Sequence, residues 1–172
     1  MKQESTVASP HLIHAEDVPW TELAHGSRVA LKRKQLGAAA HGRKLGCSLV
    51  ELPPGRRSWP LHYHLGNEEA VYVLSGTGSL RLGTQTLPVR EGDYVALPQG
   101  AECAHQLIND GPEPLRYLCF STMEAPDVLV YPDSKKVGVF AGAAPGGDKA
   151  SRTLMAYLPL DAQVDYWEGE EP

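Results

Sequence analysis

His62-Tyr63-His64, with Glu69 close behind, puts two imidazoles and a carboxylate within eight residues. Side chains at i and i+2 of a β-strand leave the same face, so His62 and His64 can reach one point in space. A second cluster, Pro98-Gln99-Gly100 leading to His105 and Asn109, supplies a third imidazole. Three neutral nitrogens and one carboxylate oxygen suit a borderline divalent transition metal: Fe, Mn, Ni, Zn or Cu. Such a set leaves a formal site charge of about +1 and open positions for an oxygen ligand, water or dioxygen. It favours anionic small molecules that chelate through oxygen.

Positioning these groups falls to a series of short β-candidates separated by turns. The apolar and alternating stretches are 29–34, 45–52, 59–65, 70–74, 79–82, 94–97, 105–109 and 115–121. Turn chemistry stands between them at Pro53-Pro54-Gly55, Leu65-Gly66-Asn67, Ser75-Gly76-Thr77-Gly78, Glu91-Gly92-Asp93 and Asn109-Asp110-Gly111-Pro112. This spacing, without a convincing amphipathic helix, predicts an all-β sandwich or closed barrel. Inward parity for Glu69, Val71 and Val73 would aim the carboxylate at the histidine pair. Residues 1–27 read as an N-terminal arm, pinned by Leu12, Ile13 and Trp20, and residues 28–125 as the barrel. Residues 126–172, with apolar stretches at 128–131, 137–140 and 154–158, read as a C-terminal extension that packs on the barrel or on a partner subunit.

The bulk composition limits the alternatives. A net charge of −5 argues against nucleic acid as a partner of the whole chain. Charge is uneven, however. Arg28, Lys32, Arg33, Lys34, Arg43, Lys44, Arg56 and Arg57 face a single acid, Glu51, between residues 26 and 57, while the tail from 158 is acidic. Two solvated faces explain this; a polyanion site is the sharper alternative. The first 44 residues lack two consecutive periodic helices, so no helix-turn-helix reader is expected. Cys47, Cys103 and Cys119 are odd in number and lack a CxxC spacing, which suggests reduced, mostly buried thiols and a cytoplasmic protein. No signal peptide and no membrane-spanning stretch is expected.

The two clusters resemble the paired motifs of the cupin superfamily over residues 45–122. Gly55, His62, His64, Glu69 and Gly76 are similar to the first motif, and Gly92, Pro98, Gly100, His105 and Asn109 to the second. The resemblance implies a small jelly-roll barrel of the double-stranded β-helix type, a homodimer, and His62, His64, Glu69 and His105 as metal ligands. Six residues rather than five separate Gly55 from His62. Glu68 and Glu69 both fit the distance from His64, but only Glu69 has six residues between it and Gly76. Four residues, Ala101-Glu102-Cys103-Ala104, stand between Gly100 and His105 where the motif has two. A rigid spacing selects Cys103, followed four residues on by Leu107, whereas His105 is followed by the expected Asn109. His105 is therefore the expected ligand, and Cys103 its competitor.

A narrower likeness runs through Leu36-Gly37-Ala38-Ala39-Ala40, Gly46-Cys47, Tyr131-Pro132-Asp133-Ser134 and Asp165-Tyr166-Trp167. It is to single-domain bacterial cupins of mostly unassigned function, some labelled sugar-phosphate isomerases. Isomerisation through an enediolate and Fe(II)-type dioxygenation are the chemistries such a site suggests. A non-catalytic protein that binds or senses a small ligand through its metal is the alternative. No proton-transfer group announces itself. Tyr117 and Cys119 share a strand parity that could face the pocket, although core packing explains both.

Overall fold

The computed structural model describes residues 9–170. Its strands are β1 Thr21–His25, β2 Val29–Gln35, β3 Gly46–Leu52, β4 Tyr63–His64, β5 Glu69–Ser75, β6 Thr77–Leu82 and β7 Gln85–Arg90. They continue with β8 Tyr94–Leu97, β9 His105–Ile108, β10 Leu115–Ser121, β11 Asp127–Tyr131, β12 Lys136–Ala141 and β13 Leu154–Pro159. One short helix, α1 (Leu36–Ala39), follows β2.

Two antiparallel walls face each other in a jelly roll. The first is a single sheet in the order β1-β2-β3-β10-β5-β8. The second is built from two sheets, β7-β6-β9 and β13-β12-β11-β4. A bridge between His62 and His105 joins them. There the His105 N–H donates to the His62 carbonyl at 2.8 Å and the His62 N–H to the His105 carbonyl at 3.3 Å. The backbones of two candidate ligands thus hold the second wall together.

Alternation explains the core. On β5, Val71 and Val73 are buried while Tyr72 and Leu74 are exposed. Val50 and Leu52 on β3, Tyr117 and Leu115 on β10, and Leu80, Leu97 and Leu107 complete the inner layer. Glu51 lies on the opposite face of β3, yet it is also buried. Its carboxylate sits 2.8 Å from Lys32 Nζ and 2.6 Å from Arg116 Nη2, the residues directly beside it in register. Asn109, fully buried, donates to the carbonyls of Leu52 and Glu113 and accepts from the Gly111 N–H, closing the turn after β9. Gly76 has φ +85, and a Cβ there would meet the Pro114 carbonyl at 2.6 Å, so the β5–β6 turn requires glycine.

Several elements differ from the sequence expectation. The stretch expected as one strand over 59–65 is a strand only at Tyr63–His64, because Pro60 cannot donate to a ladder. β7 forms on the outer edge of its sheet around Pro88, a position where proline is tolerated. β1 pairs with β2 along its whole length although all five of its residues are exposed. Strands β11 to β13 continue the second wall, and β11 pairs directly with β4, the strand of His64. The three cysteines are partly rather than fully buried. Among the described residues, no helix is long and apolar enough to cross a membrane.

Candidate metal centre

His62 and His64 enter from β4 and the residue before it, His105 from β9, and Glu69 from β5 in the opposite wall. Donor atoms of His62, Glu69 and His105 all lie within 4.8 Å of one another. His105 Nε2 is 3.1 Å from Glu69 Oε2. His64 stands just outside that tight group, its Nε2 3.5 Å from the same Glu69 oxygen. The rings of His62 and His64 are 5.1 Å apart, and those of His62 and His105 4.6 Å. Glu68, the other acid allowed by spacing, is exposed.

Each imidazole is held from behind. His62 Nδ1 donates to the Pro60 carbonyl at 2.8 Å and His105 Nδ1 to the Cys103 carbonyl at 3.0 Å. A carbonyl only accepts, so these bonds place a proton on Nδ1 of both rings. His62 Nε2 is then the lone-pair nitrogen, while His105 Nε2 points at the Glu69 carboxylate. His64 Nδ1 instead bonds Asp127 Oδ2 at 2.6 Å. Asp127 is itself buried, and its other oxygen accepts from the Gly66 N–H. Such outer partners fix tautomer and ring direction at metal sites. Asp127 is a residue the sequence reading missed. Its only signal was a lone acid opening an apolar stretch.

The extra residues before His105 have a structural role. Ala101–Cys103 form a 3-10 turn, with the Cys103 N–H donating to the Gly100 carbonyl and the Ala104 N–H to that of Ala101. This turn takes up the added length and presents the Cys103 carbonyl, not its thiol, to His105. Gly100 begins it at φ +115, where a Cβ would press on the Glu102 carboxylate at 2.9 Å.

Electrostatics matches the geometry. Burial, assisted by the neighbouring imidazoles of His105 and His64, pushes His62 down to about 3, so it is neutral at physiological pH. Burial alone would also lower His64, but Asp127 and Glu69 outweigh it and raise it to about 9. Burial opposes ionisation of Glu69, yet the hydrogen bond from His105 and the closeness of His64, 3.5 Å away, hold its carboxyl far below the ordinary range. His64 Nε2 is nevertheless a buried nitrogen without a hydrogen-bond partner. A buried polar atom left unpaired is costly, and a cation at the centre would satisfy it. The N₃O donor set and this orphaned nitrogen fit a divalent transition ion.

The centre opens into a cavity of about 440 Å³ between the walls. Tyr131 stacks on His62 at 5.9 Å between ring centroids, so the Tyr-Pro-Asp-Ser segment contributes to the site as well as forming the β11–β12 turn. In that turn Asp133 holds Arg81 in a bidentate pair at 2.7 and 3.1 Å. Tyr117 and Cys119 both line the cavity. The Tyr117 hydroxyl is buried without a partner, and burial, with the nearby Cys119 and Glu69, keeps it protonated. It is both a core ring and a hydrogen-bond donor ready for a ligand.

The cupin-domain family profile matches residues 48–121, the span that carries all four candidate ligands. A crystal structure from Acidithiobacillus ferrooxidans, provisionally named a sugar phosphate isomerase, matches 90% of this chain and 96% of its own. Identity is 30% and the TM-score 0.75. This chain belongs to the cupin superfamily. A second cupin structure, named a sugar phosphate isomerase and taken from Silicibacter pomeroyi, shares the fold at TM-score 0.73 and 23% identity, over 88% of this chain and 94% of that one. An uncharacterized protein of Methanocaldococcus jannaschii is 36% identical over 76 residues, 43% of this chain. The cupin spans 58% of the length of that curated relative.

Proposed function

We propose that this cupin holds one divalent transition metal on His62, His64, Glu69 and His105 and acts on a small anionic molecule that chelates through oxygen. The observation that carries this reading is the buried, unpartnered His64 Nε2, facing Glu69 while Asp127 fixes the ring from behind. When bound, the ion would polarise an oxygen of the ligand. The protein's own groups have separable tasks. Glu69 would offset part of the ion's charge, the three neutral imidazoles would give it lone pairs, and Tyr131 buttresses His62. The Tyr117 hydroxyl, buried and protonated at the cavity wall, offers a hydrogen bond to a ligand oxygen.

Isomerisation of a sugar or sugar-phosphate type is favoured by the name of the 30%-identical relative; Fe(II)-type oxygenation is the second chemistry the donor set allows. A panel of sugar phosphates, keto acids and catechols offered to Fe-, Mn- and Ni-loaded protein tests the reading. Turnover of one class with one metal supports it. Tight binding without turnover for every metal would favour a non-catalytic binding protein.

A homodimer belongs to the same proposal. The edge strand β13 exposes Leu154, Met155, Tyr157 and Leu158, each about half accessible, and an uncovered apolar edge favours pairing with a second copy. Light scattering at twice the mass of the 18.7 kDa chain would support it.

A further inference from the structure

Arg33 departs from the pattern of the basic stretch to which it belongs. Its neighbours are accounted for: Lys32 pairs with Glu51, and Lys34 donates to the Ala15 carbonyl beneath the Trp20 ring. Arg33, on the inner face of β2, turns into the cavity that holds the metal centre. It sits in register with Val50, Tyr117 and Val73, residues of the core layer. Among the described residues no carboxylate pairs with it; its contact is the Trp59 ring, 5.8 Å from the guanidinium carbon. Burial pulls it below its ordinary value; Cys119 opposes this, and repulsion from a second guanidinium, Arg152, adds a smaller push downward.

Arg152 lines the same cavity from the segment after the Gly/Pro-rich loop 142–147. Two of its nitrogens are engaged: Nη2 donates to the Ala144 and Pro145 carbonyls and Nη1 contacts Met155 sulfur at 3.1 Å. Its Nε is buried with no partner. Asp148, an acid close enough to feel the Arg152 charge, accepts instead from the Ala150 N–H and the Ser151 hydroxyl. Two guanidinium groups, partly buried and mutually repelling, neither in an ion pair among the described residues, carry an electrostatic cost in the cavity. An anion between them removes that cost.

We propose that Arg33 and Arg152 form an oxyanion subsite at the end of the cavity remote from the histidines. It would take the terminal phosphate or carboxylate of a ligand whose other end reaches the metal. This deepens, and in its metal-chelating half rests on, the function proposed above. The scale is set by the sheet. Glu69 on β5 lies three strand spacings across the sheet from Arg33 on β2 and four residues along it, because Arg33 is in register with Val73. At about 4.8 Å per strand and about 3.3 Å per residue the backbones are roughly 20 Å apart. Their side chains cover much of that gap, leaving room for a chain of a few atoms with an oxygen donor at one end and an oxyanion at the other. The loop 142–147 closes this end, tied by the Gln35 side chain to the Gly146 carbonyl at 2.8 Å and by Arg152 to its own carbonyls.

The test is calorimetric titration of the full chain, wild type and Arg33→Met, with elemental analysis of each sample. Inorganic phosphate should bind the metal-free wild-type protein and weaken about tenfold or more in the variant, because a charge-assisted bidentate contact is lost. On Mn(II)-loaded protein, 2-phosphoglycolate or succinate should bind about tenfold or more tighter than glycolate. That advantage should vanish in Arg33→Met while metal content stays unchanged. The probe that loses its advantage identifies the terminal group as phosphate or carboxylate. Arg152→Lys, which keeps the charge but loses the unpartnered Nε–H, should weaken the same probe by a smaller factor. Arg33→Met should melt no lower than wild type, since it removes a partly buried, unpaired charge. Affinities equal in wild type and Arg33→Met, with metal fully bound, would overturn the subsite and leave the metal reading intact. A protein that takes up no metal on loading, yet binds phosphate through Arg33, would support the subsite and defeat the metal reading.

Discussion

Asp127 Oδ2 lies 2.6 Å from His64 Nδ1, so a carboxylate 63 residues further along the chain orients the buried imidazole that faces Glu69. Both groups are nearly inaccessible, and the Gly66 N–H secures the far oxygen of Asp127. The strand that opens the C-terminal segment is thereby part of the centre.

Removing that support should weaken the metal without touching a ligand. Asp127→Ala is expected to lower metal affinity about 10- to 100-fold, the usual cost of losing an outer carboxylate. Asp127→Asn should fall between the two, since it can still accept a hydrogen bond. A chelator-competition titration reads this directly, and an unchanged affinity in Asp127→Ala would remove Asp127 from the account.

The pH dependence has a definite sign. In the metal-free protein the carboxylates of Asp127 and Glu69 raise His64 from 6.5 to about 9, so at neutral pH it is an imidazolium. A group raised on folding stabilises fully below its unfolded value and loses that contribution as pH rises through its folded value. Metal-free protein should therefore lose stability between about pH 6.5 and 9, and His64→Gln should flatten that slope. An ion at Nε2 displaces the His64 proton, so metal affinity should climb over the same interval. Thermal melts and competition titrations across pH 6 to 9.5 check both (about three pH units suffice to bracket the shift). A pH-independent affinity would contradict the placement of His64 among the ligands.

The two candidates in the second motif separate cleanly. Cys103→Ala should leave metal content unchanged, because only the Cys103 carbonyl faces His105 and alanine retains it. His105→Ala should lose most of the metal. The reverse pattern would move the ligand to Cys103.

Strands with a buried alternating face were legible: β2, β3, β5, β8 and β10 lie where Val, Leu and Tyr recur at every second position. β1 and β7 were not, because edge strands exposed to solvent need no apolar alternation, and Pro88 in β7 argued against a strand. Ligand spacing was legible because local strand geometry dictates it. The partners behind the ligands were not. The carbonyls of Pro60 and Cys103 carry no side-chain signature, and Asp127 reaches His64 only through the β4–β11 pairing. Arg33 was hidden within a run of like charges; only the fold shows that Lys32 and Lys34 find local partners while Arg33 lines the cavity.

The central claim is a single metal held jointly by both walls, and Glu69 is the ligand contributed by the first. Elemental analysis of the purified protein beside Glu69→Ala, with circular dichroism to confirm that both are folded, tests it most directly. The account predicts about one transition-metal ion per chain in the wild type and little or none in the variant. Equal metal content in two folded proteins, or none in either after loading, would contradict it.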